Sequence, residues 1–244
     1  NPIIPAQRAL SSHPTPLRPQ WIKPRPRIQA KFLRATGEQQ DAETGPVRVL
    51  YIRHMPLLST PALPAGSMAA LTQPELSAQD LSLRPWRPAD RRTVVAGYAD
   101  PTIQRWHCRS MTHDEAGDWI AAWSSRWSGE TGAGWAVLAA GHVVGQISLR
   151  RVNLAEGLAE VSYWVLPEAR GRRVAPRALS AVTAWSFDTL RLHRVELCHS
   201  TANNASCRVA QYAGFTLEGT KRAEGHHIDG WHDMHLHSRL DNDG

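Results

Sequence analysis

The sequence is poor in cysteine. Its three cysteines, Cys108, Cys198 and Cys207, form an odd set with no CxxC spacing. Such a set argues against a disulfide framework and a cysteine zinc centre, and for a reducing compartment, read here as the cytoplasm. Long apolar runs are missing too, none reaching the roughly 18 residues that a membrane span needs. No charged-then-apolar signal segment is read at the start. Acidic residues are scarce in one place: residues 1–67 hold nine Lys/Arg against three Asp/Glu, which accounts for the whole net charge of +6. The rest is neutral, which disfavours a nucleic-acid-binding surface spread over the fold.

The same first 67 residues carry 11 of the 17 prolines and show neither helical nor strand periodicity. Such a segment cannot offset its ordering entropy by burial, so residues 1–67 are expected to be a mostly disordered basic leader or appendage. Residues 68–244 are expected to be one domain, with its core over 81–240. No repeat or heptad pattern is visible.

After Met68 the pattern turns regular. Leu81–Trp86 alternates as a strand does. Pro88-Ala89-Asp90 opens a short helix through Tyr98. Thr112 with Glu115 gives the Thr-x-x-Glu capping signature, and the helix behind it puts Trp119, Ile120, Trp123 and Trp127 on one face. Two strands follow, Trp135–Ala140 and Val143–Arg150, with Gly141-His142 as the hairpin signal. Ala159–Val165 is a strand, Val174–Leu190 an amphipathic helix, Arg194–His199 a strand, and Ala205–Ala213 a short helix ended by Gly214. Phe215–Lys221 and Gly230–Arg239 close the domain. This order predicts an α/β fold with a mixed sheet covered by helices.

The stretch Tyr163-Trp164-Val165-Leu166-Pro167-Glu168-Ala169-Arg170-Gly171-Arg172-Arg173-Val174-Ala175 runs from strand through turn to helix. A helix N-terminus presents unpaired N–H groups and a positive dipole end, and a glycine lets backbone approach a phosphate. Physics alone leaves two readings open here, an anion site and an ordinary turn with solvated arginines. The stretch resembles the acyl-CoA pyrophosphate loop of the GNAT superfamily, Q/R-x-x-G-x-G/A, with Arg170 first, Ala175 last and Arg173 in place of the central glycine. Right-handed helical dihedrals at Arg173 would accommodate arginine freely; a positive φ would strain it by roughly 1–2 kcal/mol. Asn203 through Ser206, followed by Gly214-Phe215, resembles the family's N-x-x-S helix and terminal Gly-Phe. Tyr163-Trp164-Val165 and Gly230–Leu236 are similar to the ribosomal-protein N-terminal acetyltransferase branch.

The resemblance implies the GNAT fold, with two central strands splayed around the thioester. It implies acetyl-CoA as the acyl-CoA co-substrate, no metal, and an N-acetyltransferase acting on a primary amine, a protein N-terminus being the candidate acceptor. A small-molecule amine and a CoA-binding protein without turnover are the alternatives, and a monomer or homodimer is expected. It further implies that the Val165 N–H serves the thioester carbonyl and that the backbone of Arg170, Gly171, Arg172, Arg173, Val174 and Ala175 holds the pyrophosphate. Asn203 would contact the pantetheine arm, Ser206 would also face the cofactor and act as the acid for the thiolate, and Glu160 would act as the base. Glu168 and Tyr212 are the weaker candidates for base and acid. Trp106-His107 falls where the acceptor-side loop is expected. His226, His227, His232, His235 and His237 crowd the tail. His235 and His237 share a strand face, but no paired cysteine or carboxylate set accompanies them, so acceptor-pocket or surface roles are expected.

Overall fold

The computed structural model describes residues 58–243; residues 1–57 of the leader expected over 1–67 lie outside them. Among the described residues, some ahead of Met68 pack with the domain. The reason is local. Ala62 and Leu63 donate N–H bonds to the carbonyls of Ala155 and Leu154. Glu130 accepts from the N–H groups of Gly66, Met68 and Ala69 at 2.7–3.0 Å. Met68 is then fully buried.

Eight strands form one sheet: β1 (Leu76–Ala78), β2 (Leu81–Pro85), β3 (Gly132–Ala139), β4 (His142–Asn153), β5 (Leu158–Val165), β6 (Arg194–Ser200), β7 (Thr216–His227) and β8 (Gly230–Leu240). Their spatial order is β1-β2-β3-β4-β5-β6-β8-β7. Every neighbouring pair is antiparallel except β5 with β6. The helices are α1 (Arg91–Ala99), α2 (Pro101–His107), α3 (His113–Ser128), α4 (Val174–Asp188) and α5 (Asn204–Tyr212). Strand β1 and helix α2 are additions to the sequence reading. Helix α2 does carry a start signal: Asp100 accepts from the Ile103 N–H at 2.9 Å, and Pro101 occupies the first turn.

The central strands are covered on both faces, which is why β3 is buried along nearly its whole length. Trp135 and Val137 join the cluster under α4, with Ile147, Val161, Leu179 and Leu197. Ala136 and Leu138 face the other way, into a cluster with Val94, Tyr98, Ile120, Trp123 and Trp164 under α1–α3. Gly134 lets α3 sit close: a Cβ there would lie 2.4 Å from the Trp123 ring. The Thr112/Glu115 capping box forms as expected. The β3–β4 turn falls one residue earlier than expected, at Ala140-Gly141, both with positive φ, as a two-residue primed turn requires.

Candidate functional site

Strands β5 and β6 pair in parallel only from Leu158↔Arg194 to Val161↔Leu197. Beyond that they part. The parting opens into a cleft of about 880 Å³ whose walls include Val165, the β5–α4 loop and α5 on one side, and α2, α3 and β4 on the other.

On the first side, the Leu166 N–H is engaged by the Val144 carbonyl of β4. Backbone direction alternates along a strand, so the Val165 N–H turns the opposite way, into the parting. The Val165 carbonyl accepts from Arg170 Nε at 3.1 Å, and Arg170 also pairs with Asp100 at 2.6 Å. Its side chain therefore ties the loop to the start of α2. Gly171 and Arg173 both have positive φ, and Arg173 (φ 54, ψ 29) is the residue immediately before α4. The position where the family pattern has glycine thus keeps the left-handed conformation that glycine favours. The Arg173 guanidinium stacks over Tyr212 at 5.1 Å. Val174 and Ala175 present first-turn N–H groups to the cleft, whereas Pro176 has none to give. Arg172 does not line the cleft; its carbonyl accepts from Arg177.

Helix α5 is capped by Asn203, whose Oδ1 accepts from the Ser206 N–H at 3.1 Å. Asn203 itself lines the cleft. Ser206 lies beside the Tyr163 phenol, which is buried without a partner in hydrogen-bond geometry. Burial raises the Tyr163 pKa, and the Ser206 hydroxyl pulls against that rise. Asn203, Ser206, Val165 and the Arg170–Ala175 loop, Arg172 aside, are brought to one surface.

Glu160 is not on that surface. It sits directly across from Arg150 on β4, is 6% exposed, and divides its two oxygens between Arg150 and Arg151. Arg150, not Glu160, reaches the cleft wall. Glu168 lies in the turn that precedes the loop and is also off the cleft wall.

The opposite wall is basic and aromatic. Arg109, Arg126 and Arg150 line it with Tyr98, Trp106, Trp119 and Trp123. Burial raises the Tyr98 phenol, and the charges of Arg109, Arg150 and Arg126 pull against that rise. His107 donates from Nε2 to the Tyr163 carbonyl at 3.0 Å, and burial pushes its pKa down to about 4. It is neutral at physiological pH. Among the described residues, no Asp or Glu lines the cleft.

The tail histidines divide. His227 packs against Trp106 and His232 beside the cleft. His226 packs on Trp231. His235 and His237 join His199 of β6 and Cys207 of α5, with one ligand atom from each within 4.8 Å of the others. Burial lowers the pKa of both His199 and His237. The sequence reading missed this group because its third and fourth members lie on a neighbouring strand and a helix. All three cysteines are free thiols, and no described helix is long and apolar enough to cross a membrane.

The comparisons with known proteins bear on the family and the fold. Bacillus subtilis YdaF, whose name assigns it provisionally to the ribosomal N-acetyltransferases, is 29% identical over 113 residues, 46% of this chain and 61% of that protein. The Escherichia coli ribosomal-protein-serine acetyltransferase is 28% identical over 98 residues, 40% of this chain and 55% of that one. The chain therefore spans between half and two thirds of the length of these relatives. The solved structure of RimL, a ribosomal L7/L12 α-N-protein acetyltransferase in complex with coenzyme A, superposes with a TM-score of 0.65 at 16% identity, over 68% of this chain and 98% of that one. At that identity it speaks for the fold alone. The acetyltransferase (GNAT) domain family matches residues 80–216, more than half of the chain, and the protein belongs to that family.

Proposed function

We propose that this protein transfers an acetyl group from acetyl-CoA to the α-amino group of a protein or peptide whose first residues include carboxylates. The carrying observation is the cleft wall: three arginines, and no carboxylate among the described residues. A free α-amine has a pKa of about 7.7–8.0, against about 10.4 for a lysine. It is already partly neutral near pH 8, so it needs little help from a base. A polyamine would bring several positive charges against Arg109, Arg126 and Arg150, which is repulsive. An acidic chain complements them. The names of the relatives above point to ribosomal proteins as one source of such chains.

The chain's own residues supply the rest. The first-turn N–H groups of Val174 and Ala175, with the turn at Gly171, suit the pyrophosphate of acetyl-CoA. The Asn203 amide suits the pantetheine arm in the strand parting. The Val165 N–H is aimed where the thioester carbonyl would develop negative charge. The neutral amine nitrogen attacks that carbonyl carbon and the C–S bond breaks. Ser206 protonates the departing thiolate and is itself reprotonated by the surplus amine proton, relayed through water in the open cleft. Glu160 acts in this reading as a positioning residue that holds Arg150 toward the acceptor. The free thiols and the supply of acetyl-CoA favour the cytoplasm.

Initial rates of thiol release test the reading. The acceptors are an acidic peptide with a free N-terminus, a neutral one, an N-blocked lysine peptide and spermidine. The acidic α-amine should give the highest kcat/KM. A preference for spermidine or lysine would overturn the acceptor assignment, and acetyl-CoA binding without turnover on any amine would overturn the enzymatic one.

A further inference from the structure

We propose that His199, His235, His237 and Cys207 form a structural site for a late first-row divalent cation, zinc foremost. The four side chains come from three elements. His199 and His235 are directly opposed on β6 and β8, and His237 follows two residues along β8 on the same face. Cys207 reaches the group from α5. One ligand atom from each lies within 4.8 Å of the others. A tetrahedral site of three nitrogens and one sulfur needs about 3.3–3.6 Å between ligands, given metal–nitrogen and metal–sulfur bonds of about 2.0 and 2.3 Å. Small side-chain rotations close that gap.

The ring nitrogens are prepared for it. His199 Nδ1 is 2.8 Å from the Ser200 carbonyl. A carbonyl only accepts, so the proton is on Nδ1 and the Nε2 lone pair is bare. That is how metal-bound histidines are oriented in general, with the second nitrogen donating to backbone. His199 Nε2 is buried without a partner, as are His235 Nδ1 and both nitrogens of His237; these are four of the ten such side-chain atoms among the described residues. The Phe215 carbonyl lies near His237 without meeting hydrogen-bond geometry. His199 is 5% exposed and His237 fully buried, so water reaches them poorly. A cluster of unsatisfied ring nitrogens set this close is costly as core packing, and the lone pair that each neutral ring carries is favourable around a cation. Three imidazoles and a thiol, with no carboxylate, suit zinc rather than magnesium or calcium. Four protein ligands fill the tetrahedron, which makes the role structural: the cation would pin α5, which carries Ser206 and is capped by Asn203, to β6 and β8. The inference rests on this geometry and not on the acetyltransferase reading.

The test uses the full chain stripped with chelator, then titrated with Zn²⁺ and, separately, Co²⁺. About one equivalent of Zn²⁺ should remain after dialysis and raise the melting temperature. Co²⁺ should give a thiolate charge-transfer band with intense visible bands of a tetrahedral site. Cys207→Ser should abolish the charge-transfer band. Cys207→Ser and His235→Gln, which are not fully buried and spare the fold, should each weaken Zn²⁺ at least about tenfold. His232→Ala, which removes the other close histidine pair, should leave the titration unchanged. No Zn²⁺ retention by the wild type, a cobalt band that survives Cys207→Ser, or a titration lost only in His232→Ala would each overturn the site. These readouts are independent of turnover, so an inactive enzyme would not affect them.

Discussion

The Arg173 guanidinium stacks over the Tyr212 ring at 5.1 Å, joining the start of α4 to the end of α5. It does so from a backbone with φ 54 and ψ 29. An L-residue in that region is strained by roughly 1–2 kcal/mol, and the stack offsets about 0.5–1 kcal/mol of it.

Arg173→Gly relieves the strain but loses the stack and adds about 0.5–1 kcal/mol of unfolded-state entropy. Its stability should therefore stay within about 1 kcal/mol of wild type. Arg173→Val keeps the strain, adds β-branching and has no cation, so it should fall at least about 1 kcal/mol below Arg173→Gly. Urea midpoints measure both. Equal midpoints for Gly and Val would mean that the loop does not hold a positive φ there.

Ser206→Ala should lower kcat by ~10²–10⁴-fold with little change in acetyl-CoA affinity, because a proton donor to the thiolate matters chiefly in the transition state. The fold should survive, since Asn203 caps the Ser206 backbone N–H and not its hydroxyl. Steady-state rates with isothermal titration of CoA separate the two effects. Full activity in the variant would move the donor role elsewhere, with Tyr212, 64% exposed at the cleft rim, next in line.

Glu160→Gln distinguishes a base from a positioning residue. Both Glu160 oxygens are engaged by arginines, so the expected kcat/KM–pH profile is parallel to wild type. KM for acidic peptides should rise as Arg150 loses its anchor. A loss concentrated at low pH, where more of the amine is protonated, would return the base role to Glu160.

What is legible in the sequence is whatever a short window encodes. The Thr112/Glu115 box, the stop at Gly214 and the strand–loop–helix run into Val174 are local, and each stands where its chemistry put it. Strand β1 is too short to show periodicity. The relation of Glu160 to Arg150 and Arg151 depends on β4–β5 register, which only the folded sheet sets. The histidine–cysteine group depends on β8 inserting between β6 and β7, a crossover that no local pattern announces. The Asp100-Pro101 start of α2 is a local signal too, and it is the one that fixes where Arg170 is held.

Charge reversal on the acceptor wall tests the cleft's selectivity. Arg126→Glu should cut kcat/KM for an acidic peptide by about tenfold or more while leaving a neutral peptide less affected, since only a charged acceptor feels the full change. The gap between the two peptides should narrow as salt rises. An equal loss for both peptides would mean that Arg126 supports the wall's packing over Trp123, on which its guanidinium lies at 4.6 Å.

Asp90 sets an acid limit on stability. Its side chain, 8% exposed, takes two bonds of 2.8 Å from Arg84 and another of 2.8 Å from the Arg87 N–H. Burial alone would raise its pKa, but the Arg84 bonds and the Arg87 N–H outweigh it and hold the carboxyl below its ordinary value. A depressed carboxylate pKa contributes stability that is complete above the unfolded value and lost as pH falls through the folded one. Asp90→Asn should therefore destabilise at pH 7, by about 3 kcal/mol, because it leaves the buried Arg84 without its charge partner. The difference from wild type should begin to shrink below about pH 4, where the carboxyl protonates in the unfolded chain, and be lost as pH falls through the lowered folded value. Melting curves of both proteins between pH 7 and pH 2 measure it. A gap that stayed constant over that range would mean that the Asp90 charge is not what holds the β2–α1 corner.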